Sequence, residues 1–205
     1  MIGIVDYKVG NVGNVSRALH AIGFDAEVME RPPEGRRDVK ALILPGVGAF
    51  APAIEDLKRS GWADFLKSWK ERELPFLGIC LGMQLMCEAS LENGIHTGLG
   101  LVDGTVCSLA TRKLPHMGWN DITWEKDISC IESAAPSGSY FYFVHSFALL
   151  ESDSAAATTT IEGRKFVSVI VENNIAGFQF HPERSGIQGL DLLGRTMSWL
   201  TGEKV

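Results

Sequence analysis

The 205-residue chain lacks the features that would tie it to a membrane, a nucleic acid or an oxidising compartment. No uncharged apolar run approaches the roughly 18–20 residues that span a bilayer, which excludes a helical membrane protein. There is no basic surplus: 19 Lys+Arg against 25 Asp+Glu leave a net charge of −6. That is the wrong sign for the basic patch of a nucleic-acid-binding surface. Cysteine is sparse, and Cys80, Cys87, Cys107 and Cys130 form no C-x-x-C pair. Neither a zinc site nor a disulfide frame is expected, and free thiols in a reducing cytoplasm fit better. The opening Met1-Ile2-Gly3-Ile4-Val5-Asp6 has no basic stretch, so no secretory signal is expected. No repeat, linker or low-complexity segment divides the chain. What remains is a globular composition, 45% hydrophobic and 21% charged. A chain of this length buries roughly 70–75% of its unfolded surface without staples, so one domain over residues 1–205 is expected.

Short apolar runs alternate with amphipathic stretches over the first ninety or so residues. Ile2–Val5, Ala41–Leu44 and Phe76–Ile79 read as buried strands. Between and after them, Val12/Val15/Leu19/Ile22, Trp62/Phe65/Leu66/Trp69 and the stretch from Leu81 to Ala89 have helical character. Strands separated by helices imply right-handed crossovers and a parallel sheet covered on both faces. The second half is richer in strands: Leu101–Cys107, Ile122–Trp124, Tyr140–Val144, Ala155–Ile161, Phe166–Val171 and Ile175–Phe180. These are expected to add antiparallel strands to the same sheet, before a closing helix through Leu190, Leu193, Met197 and Leu200. The fold class is α/β: a mixed, mostly parallel central sheet with flanking helices.

Three segments carry chemistry. In Gly78-Ile79-Cys80-Leu81-Gly82 a strand runs straight into a helix, the nucleophile-elbow pattern with cysteine as the nucleophile. The sharp turn requires small neighbours two residues away on each side, and the helix N-terminus beneath the thiol favours thiolate. A base is then needed. Of His20, His96, His116, His145 and His181, the strongest candidate is His181, in Phe180-His181-Pro182-Glu183. Residues i and i+2 of extended chain share a side, so Glu183 can orient the imidazole and stabilise its charge. His145 also ends a strand but has no carboxylate two residues on; His20 and His96 read as solvated. The third segment, Pro45-Gly46-Val47-Gly48, offers unshielded backbone N–H groups suited to an oxyanion hole. Each motif alone has an ordinary structural reading: a core cysteine, a strand-end histidine, a strand-to-helix turn. Their joint occurrence points to a nucleophile, its base and an anion site. The Gly10/Gly13 loop is too incomplete for a dinucleotide site.

In this order and spacing the motifs resemble those of the class I, triad-type glutamine amidotransferases, across nearly the whole chain. The resemblance implies a single-domain, flavodoxin-like fold that needs no metal or cofactor. It implies Cys80 as the nucleophile toward glutamine, His181 as proton carrier and Glu183 as its orienting partner. The N–H groups of Leu81 and the Val47 region would hold the oxyanion. Gly46, Gly48, Gln84, Glu92, His145 and Ser146 would line the glutamine pocket. Asp6-Tyr7…Gly10-Asn11, Pro115-His116-Met117-Gly118-Trp119-Asn120 and Tyr142-Phe143-Val144-His145-Ser146 resemble one branch, whose members pass ammonia to a (β/α)₈ barrel cyclase subunit that closes an imidazole ring in histidine biosynthesis. In that case Asn11, Asn14, Met117, Trp119 and Arg184 form the partner surface. Lys8, where glycine is common, and Arg184, where lysine is familiar, depart from the pattern without touching the triad.

Three other readings compete. A triad glutaminase could serve anthranilate, aminodeoxychorismate or pyridoxal phosphate synthesis instead; the Met117-Gly118-Trp119-Asn120 segment favours the imidazole branch. A cysteine hydrolase or stress protein on a similar fold is disfavoured by the late His-Pro-Glu. A catalytically silent interaction subunit has no physical need for Cys80, His181 and Glu183 together.

Overall fold

The structure is a computed structural model that describes residues 1–203; residues 204 and 205, the end of the expected domain, lie outside the described residues. In the first half, β1 (Ile2–Val5), α1 (Val12–Ala21), β2 (Ala26–Met29), β3 (Ala41–Gly46), α2 (Phe50–Arg59), α3 (Trp62–Glu71), β4 (Phe76–Cys80) and α4 (Leu81–Met86) follow one another. Two short strands, β5 (Ala89–Ser90) and β6 (His96–Thr97), lead to β7 (Thr105–Ser108), β8 (His116–Asp121), β9 (Thr123–Trp124) and α5 (Ser129–Glu132). Then come β10 (Tyr140–His145), β11 (Phe147–Leu149), β12 (Ala155–Ile161), β13 (Arg164–Glu172) and β14 (Ile175–Phe178). A 3-10 turn at Pro182–Arg184 precedes α6 (Gly186–Thr201).

The central sheet has the order β2-β1-β3-β4-β14-β13-β12-β9. Its β2, β1, β3, β4 and β14 are parallel, and the remaining neighbours pair antiparallel. Side chains alternate between two cores, because successive residues of a strand face opposite sides. Ala41, Ile43, Leu77 and Ile79 face a core closed by α1, α6 and the aromatic β10; Leu42, Leu44 and Phe76 face one closed by α2, α3 and α4. Apolar residues on both faces explain why these strands read as continuous runs.

The parallel βα half and the antiparallel additions β12 and β13 agree with the sequence reading. Not every later strand joins the central sheet, however. β8 and β10 form a separate two-stranded ribbon, and β11, β7, β5 and β6 form a second small sheet. Helix α4 stops at Met86, short of Ala89, because the chain turns extended at Cys87 and enters β5. Edge strand β2 lacks an apolar run, its middle residues being exposed. The stripe Phe50, Ala53, Ile54 and Leu57 of α2 is buried and was present at helical spacing.

The sheet register positions the site. Gly46 pairs with Cys80, and Phe178 with Ile79. The loops leaving β3, β4 and β14 therefore emerge side by side at the carboxyl edge, where open α/β sheets place their ligands.

Gly194 in α6 has ordinary helical backbone, and a Cβ there would meet only Ile22 Cδ1, at 3.6 Å. Gly194→Ala is expected to stabilise the chain by about 0.5–1 kcal/mol, through lower unfolded-state entropy. Thermal unfolding should show a rise of about 1–4 °C; a lower midpoint would mean that the contact with Ile22 is a clash.

Candidate active site

Cys80 ends β4 and caps α4 with φ 54° and ψ −112°. Positive φ is costly for a residue with a side chain, of the order of 1–3 kcal/mol, and persists only where the surroundings enforce it. Here glycines allow those surroundings. A Cβ on Gly82 would lie 1.8 Å from the Leu44 carbonyl oxygen, and one on Gly78 would lie 2.3 Å from Met86 Sδ. A Cβ on Gly46 would meet Gly82 N, Leu81 Cβ and Tyr7 Oη, each at 2.8 Å. Gly46 thus lets β3 approach the elbow and does not line the cavity. Behind it the buried Tyr7 hydroxyl donates to the Pro45 carbonyl at 3.1 Å. Burial, with the charges of Cys80 and Asp56, pushes that phenol well up from its ordinary range.

His181 is buried, and its Nδ1 lies 2.8 Å from Glu183 Oε1. Both side chains are nearly inaccessible, at 4% and 2%. Nε2 has no partner within hydrogen-bond geometry, nor has Glu183 Oε2. Burial acts to lower the basicity of the imidazole, but Cys80 and Glu183 outweigh it and raise the pKa to about 10. Cys80 and His181 line the same cavity, with no hydrogen bond formed between them. His145 behaves oppositely. Burial, helped by the charges of His116 and His181, lowers its pKa to about 3 against the pull of the Phe147 carbonyl. Of the two strand-end histidines, His181 is the one coupled to the sulfur.

Cys80 and His181 open into one cavity of about 290 Å³, close to the small end of ligand pockets, roughly 300–1,000 Å³. Its walls include Val47, Gly48, Leu81, Gln84, Glu92, His145 and Ser146, the expected pocket residues apart from Gly46. Leu81 N–H belongs to the first turn of α4 and has no helical acceptor. Gly48 holds φ 92°, which glycine favours. Glu92 Oε2 accepts from Phe50 N–H at 2.8 Å, so the N-terminus of α2 fixes this carboxylate at the pocket wall. Among the described residues no cluster of His, Cys, Asp and Glu is arranged to hold a metal ion.

The expected partner residues lie on the surface. Met117 and Trp119 are 63% and 56% exposed, because odd positions of β8 face outward while His116 faces in. The Arg184 guanidinium sits 4.4 Å from the centre of the Tyr142 ring, and Trp119 meets the same ring edge-on at 6.4 Å. Helix α1, capped by Asn11 with Asn14 in its first turn, packs against the 3-10 turn that carries Arg184. Lys8 adopts φ 74°, a left-handed conformation that glycine favours. His96 is half-buried in β6, not solvated.

Several residues at the site escaped the sequence reading. Phe147 O accepts from Gln84 Nε2 at 2.8 Å and from His145 Nδ1 at 2.9 Å. His116 Nδ1 meets His145 Nε2 at 3.1 Å, and Gln179 bridges Gln84 and Cys80. Gln179 had one usable signal: it stands two residues before His181 and so shares its side of the extended chain.

The histidines should titrate in opposite directions. His181 contributes stability that is present below its unfolded value, about 6.5, and is lost as pH rises through about 10. His145 contributes stability that is present above about 6.5 and is lost as pH falls toward about 3. In NMR titrations of the rings, His181 should remain protonated at about pH 8 and His145 neutral at about pH 5. The reverse order would transfer the role of base to His145.

A family model for glutamine amidotransferase class-I matches residues 3–193. The imidazole glycerol phosphate synthase subunit HisH of Desulfitobacterium hafniense (strain Y51) is 45% identical over 202 residues, covering 98% of this chain and 95% of that protein. The subunit of the same description from Aquifex aeolicus is 41% identical over 192 residues, 93% of this chain and 92% of its own. Among solved structures, PurLQS from Thermotoga maritima superposes with a TM-score of 0.75 at 19% identity, over 97% of this chain and 98% of that one. A second, a glutamine amidotransferase crystal structure, gives 0.74 at 18% identity over 98% and 99%. The fold, the elbow and the extent of the sequence match agree, and the chain belongs to the class-I glutamine amidotransferases.

Proposed function

We propose that the chain is the glutaminase subunit of an imidazole glycerol phosphate synthase. It would hydrolyse glutamine to glutamate and ammonia and hand the ammonia to a (β/α)₈ barrel cyclase for imidazole-ring formation in histidine biosynthesis. The observation that carries this reading is one small cavity, of amino-acid size, lined by an elbow cysteine, a histidine held by a buried carboxylate, and the polar side chains of Gln84, Glu92 and Ser146 among apolar ones. Relatives over 40% identical across more than nine-tenths of the chain support the choice of branch. Among the described residues no helix is long and apolar enough to cross a membrane; a biosynthetic subunit with free thiols suits the cytoplasm.

The sulfur of Cys80 attacks the side-chain amide carbon of glutamine. The oxyanion that forms is met by the Leu81 N–H and by one from the Val47 region. His181 delivers a proton from Nε2 to the amide nitrogen, the C–N bond breaks, and ammonia departs to leave a γ-glutamyl thioester. Water then attacks the thioester as His181 takes a proton from it, and glutamate leaves as the thiol reforms. Glu183 holds the ring throughout and stabilises its positive charge. Gln84 and Glu92 suit the substrate ammonium; the backbone at His145 and Ser146 suits its carboxylate.

Ammonia released into bulk water would be protonated and lost as a nucleophile, so the site needs a sealing partner. The Trp119–Tyr142–Arg184 cluster is of the aromatic and arginine type enriched at interface centres. The Gly46-Val47-Gly48 peptide is held by glycine at both ends, and docking that turns it would supply or withdraw an oxyanion donor worth about 2.7–4 kcal/mol.

The isolated chain should therefore turn over glutamine about 10²–10³ times more slowly than the complex with the barrel subunit and its ligand. Cys80→Ala should abolish the glutamine-dependent reaction in the complex and spare cyclisation driven by ammonium salts. Equal rates with and without the partner would remove the conditional-oxyanion argument, and a working Cys80→Ala would remove the nucleophile.

Trp119→Ala should weaken the complex by about tenfold or more, as truncating an interface anchor does. Calorimetric titration with the barrel subunit measures this, and unchanged affinity would place the interface elsewhere.

A further inference from the structure

Gln179 directly follows β14 and is fully buried, with 0% exposure. Its amide touches two groups at the site: Oε1 accepts from Gln84 Nε2 at 3.0 Å, and Nε2 lies 3.8 Å from Cys80 Sγ. We propose that Gln179 is a further catalytic residue, whose side-chain N–H donates to the sulfur of Cys80 and steadies the negative charge it carries before attack and on departure from the thioester. The proposal rests on Cys80 being the nucleophile.

The direction of this amide follows from one backbone oxygen. A carbonyl only accepts, so Phe147 O requires the nitrogen end of Gln84, which lies 2.8 Å away. The same nitrogen sends its second hydrogen to Gln179, which must answer with oxygen, because two amide nitrogens can only donate. The nitrogen of Gln179 is thereby turned toward the sulfur. Reversing the amide would set N–H against N–H and put an oxygen lone pair against the charged sulfur. Gln84 Oε1 is left over as the acceptor for the substrate ammonium. Phe147 O also requires Nδ1 of His145 to carry its proton, so Nε2 of that ring accepts from His116. One carbonyl thus sets the donor and acceptor sense of two chains, and the one through Gln84 and Gln179 ends on the nucleophile.

A purely structural bridge between α4 and the end of β14 would use the same Gln84 contact; the two roles differ at the sulfur. Gln179→Met keeps the length of the side chain and removes the donor. In the full chain, alkylation of Cys80 by iodoacetamide, located by mass spectrometry, should be about tenfold slower in this variant at neutral pH. The deficit should close as pH rises, because the sulfur then ionises without a donor. A structural bridge would give no deficit, or one independent of pH, and either result overturns the proposal. Should Gln179→Met fail to fold, the unaltered chain gives the answer by NMR. The Gln179 side-chain amide resonances should move as Cys80 ionises and stay in place in Cys80→Ala; resonances insensitive to that ionisation overturn the proposal. Preferential labelling of another cysteine in the unaltered chain would overturn the nucleophile reading and this one with it. Labelling selective for Cys80 without a pH-dependent deficit in Gln179→Met removes the role of Gln179 alone.

Discussion

Everything at this site depends on how closely β3 and the first turn of α4 approach each other across β4. The Leu44 carbonyl oxygen stands where a Cβ on Gly82 would be, and Gly46 leaves equally little space beside Leu81 and Gly82. Only hydrogen in place of these side chains allows the contact. Once it is made, Cys80 has no relaxed backbone conformation available and sits at φ 54°. Both Cys80 and Cys87 are buried, but Cys80 lines the cavity, whereas Cys87 does not and burial pushes its thiol up. The strain is sustained by two large apolar cores on either face of the sheet, and the packing that stabilises the fold also holds the elbow cysteine.

The pocket has a second organising contact, electrostatic where the first is steric. The Phe147 carbonyl accepts from both His145 and Gln84. Its two lone pairs fix a ring tautomer and an amide orientation that the side chains alone would leave open. His145 is held neutral by its surroundings, whereas His181, only a short distance away in the same cavity, is held toward its charged form. Two histidines of the same intrinsic basicity are driven apart, one by burial among rings and the other by a carboxylate and a sulfur.

The β8–β10 ribbon joins pocket and surface. Alternation along β8 puts His116 against His145 and sends Met117 and Trp119 outward. The inner face packs on the core through Phe141 and Phe143, and the end of β10, at Val144 and His145, lines the pocket, so one ribbon carries Trp119 on its surface and a piece of the cavity wall at its end.

Much of this was legible in the sequence because it follows from local rules. Strands buried on both faces read as apolar runs, Gly-x-Cys-x-Gly reads as a strained turn, and His-Pro-Glu places a carboxylate beside its imidazole through the two-residue period of extended chain. The chain by itself therefore determined the α/β class and singled out the elbow cysteine, the strand-end histidine and the carboxylate beside it, Cys80, His181 and Glu183. What it left open were matters of long-range position. The small strands β5–β8 and β11 have no run long enough to reveal which sheet they join, and β2 is an edge with little to bury. The roles of Phe147 and Gln179 depend on a carbonyl and an amide brought together from segments far apart in sequence, with Gln84 and Gln179 separated by 95 residues. A backbone carbonyl carries no sequence signature, and an amide acquires its direction only from the partners the fold provides. The tertiary structure alone decided the direction of those hydrogen bonds, because it alone places the acceptor.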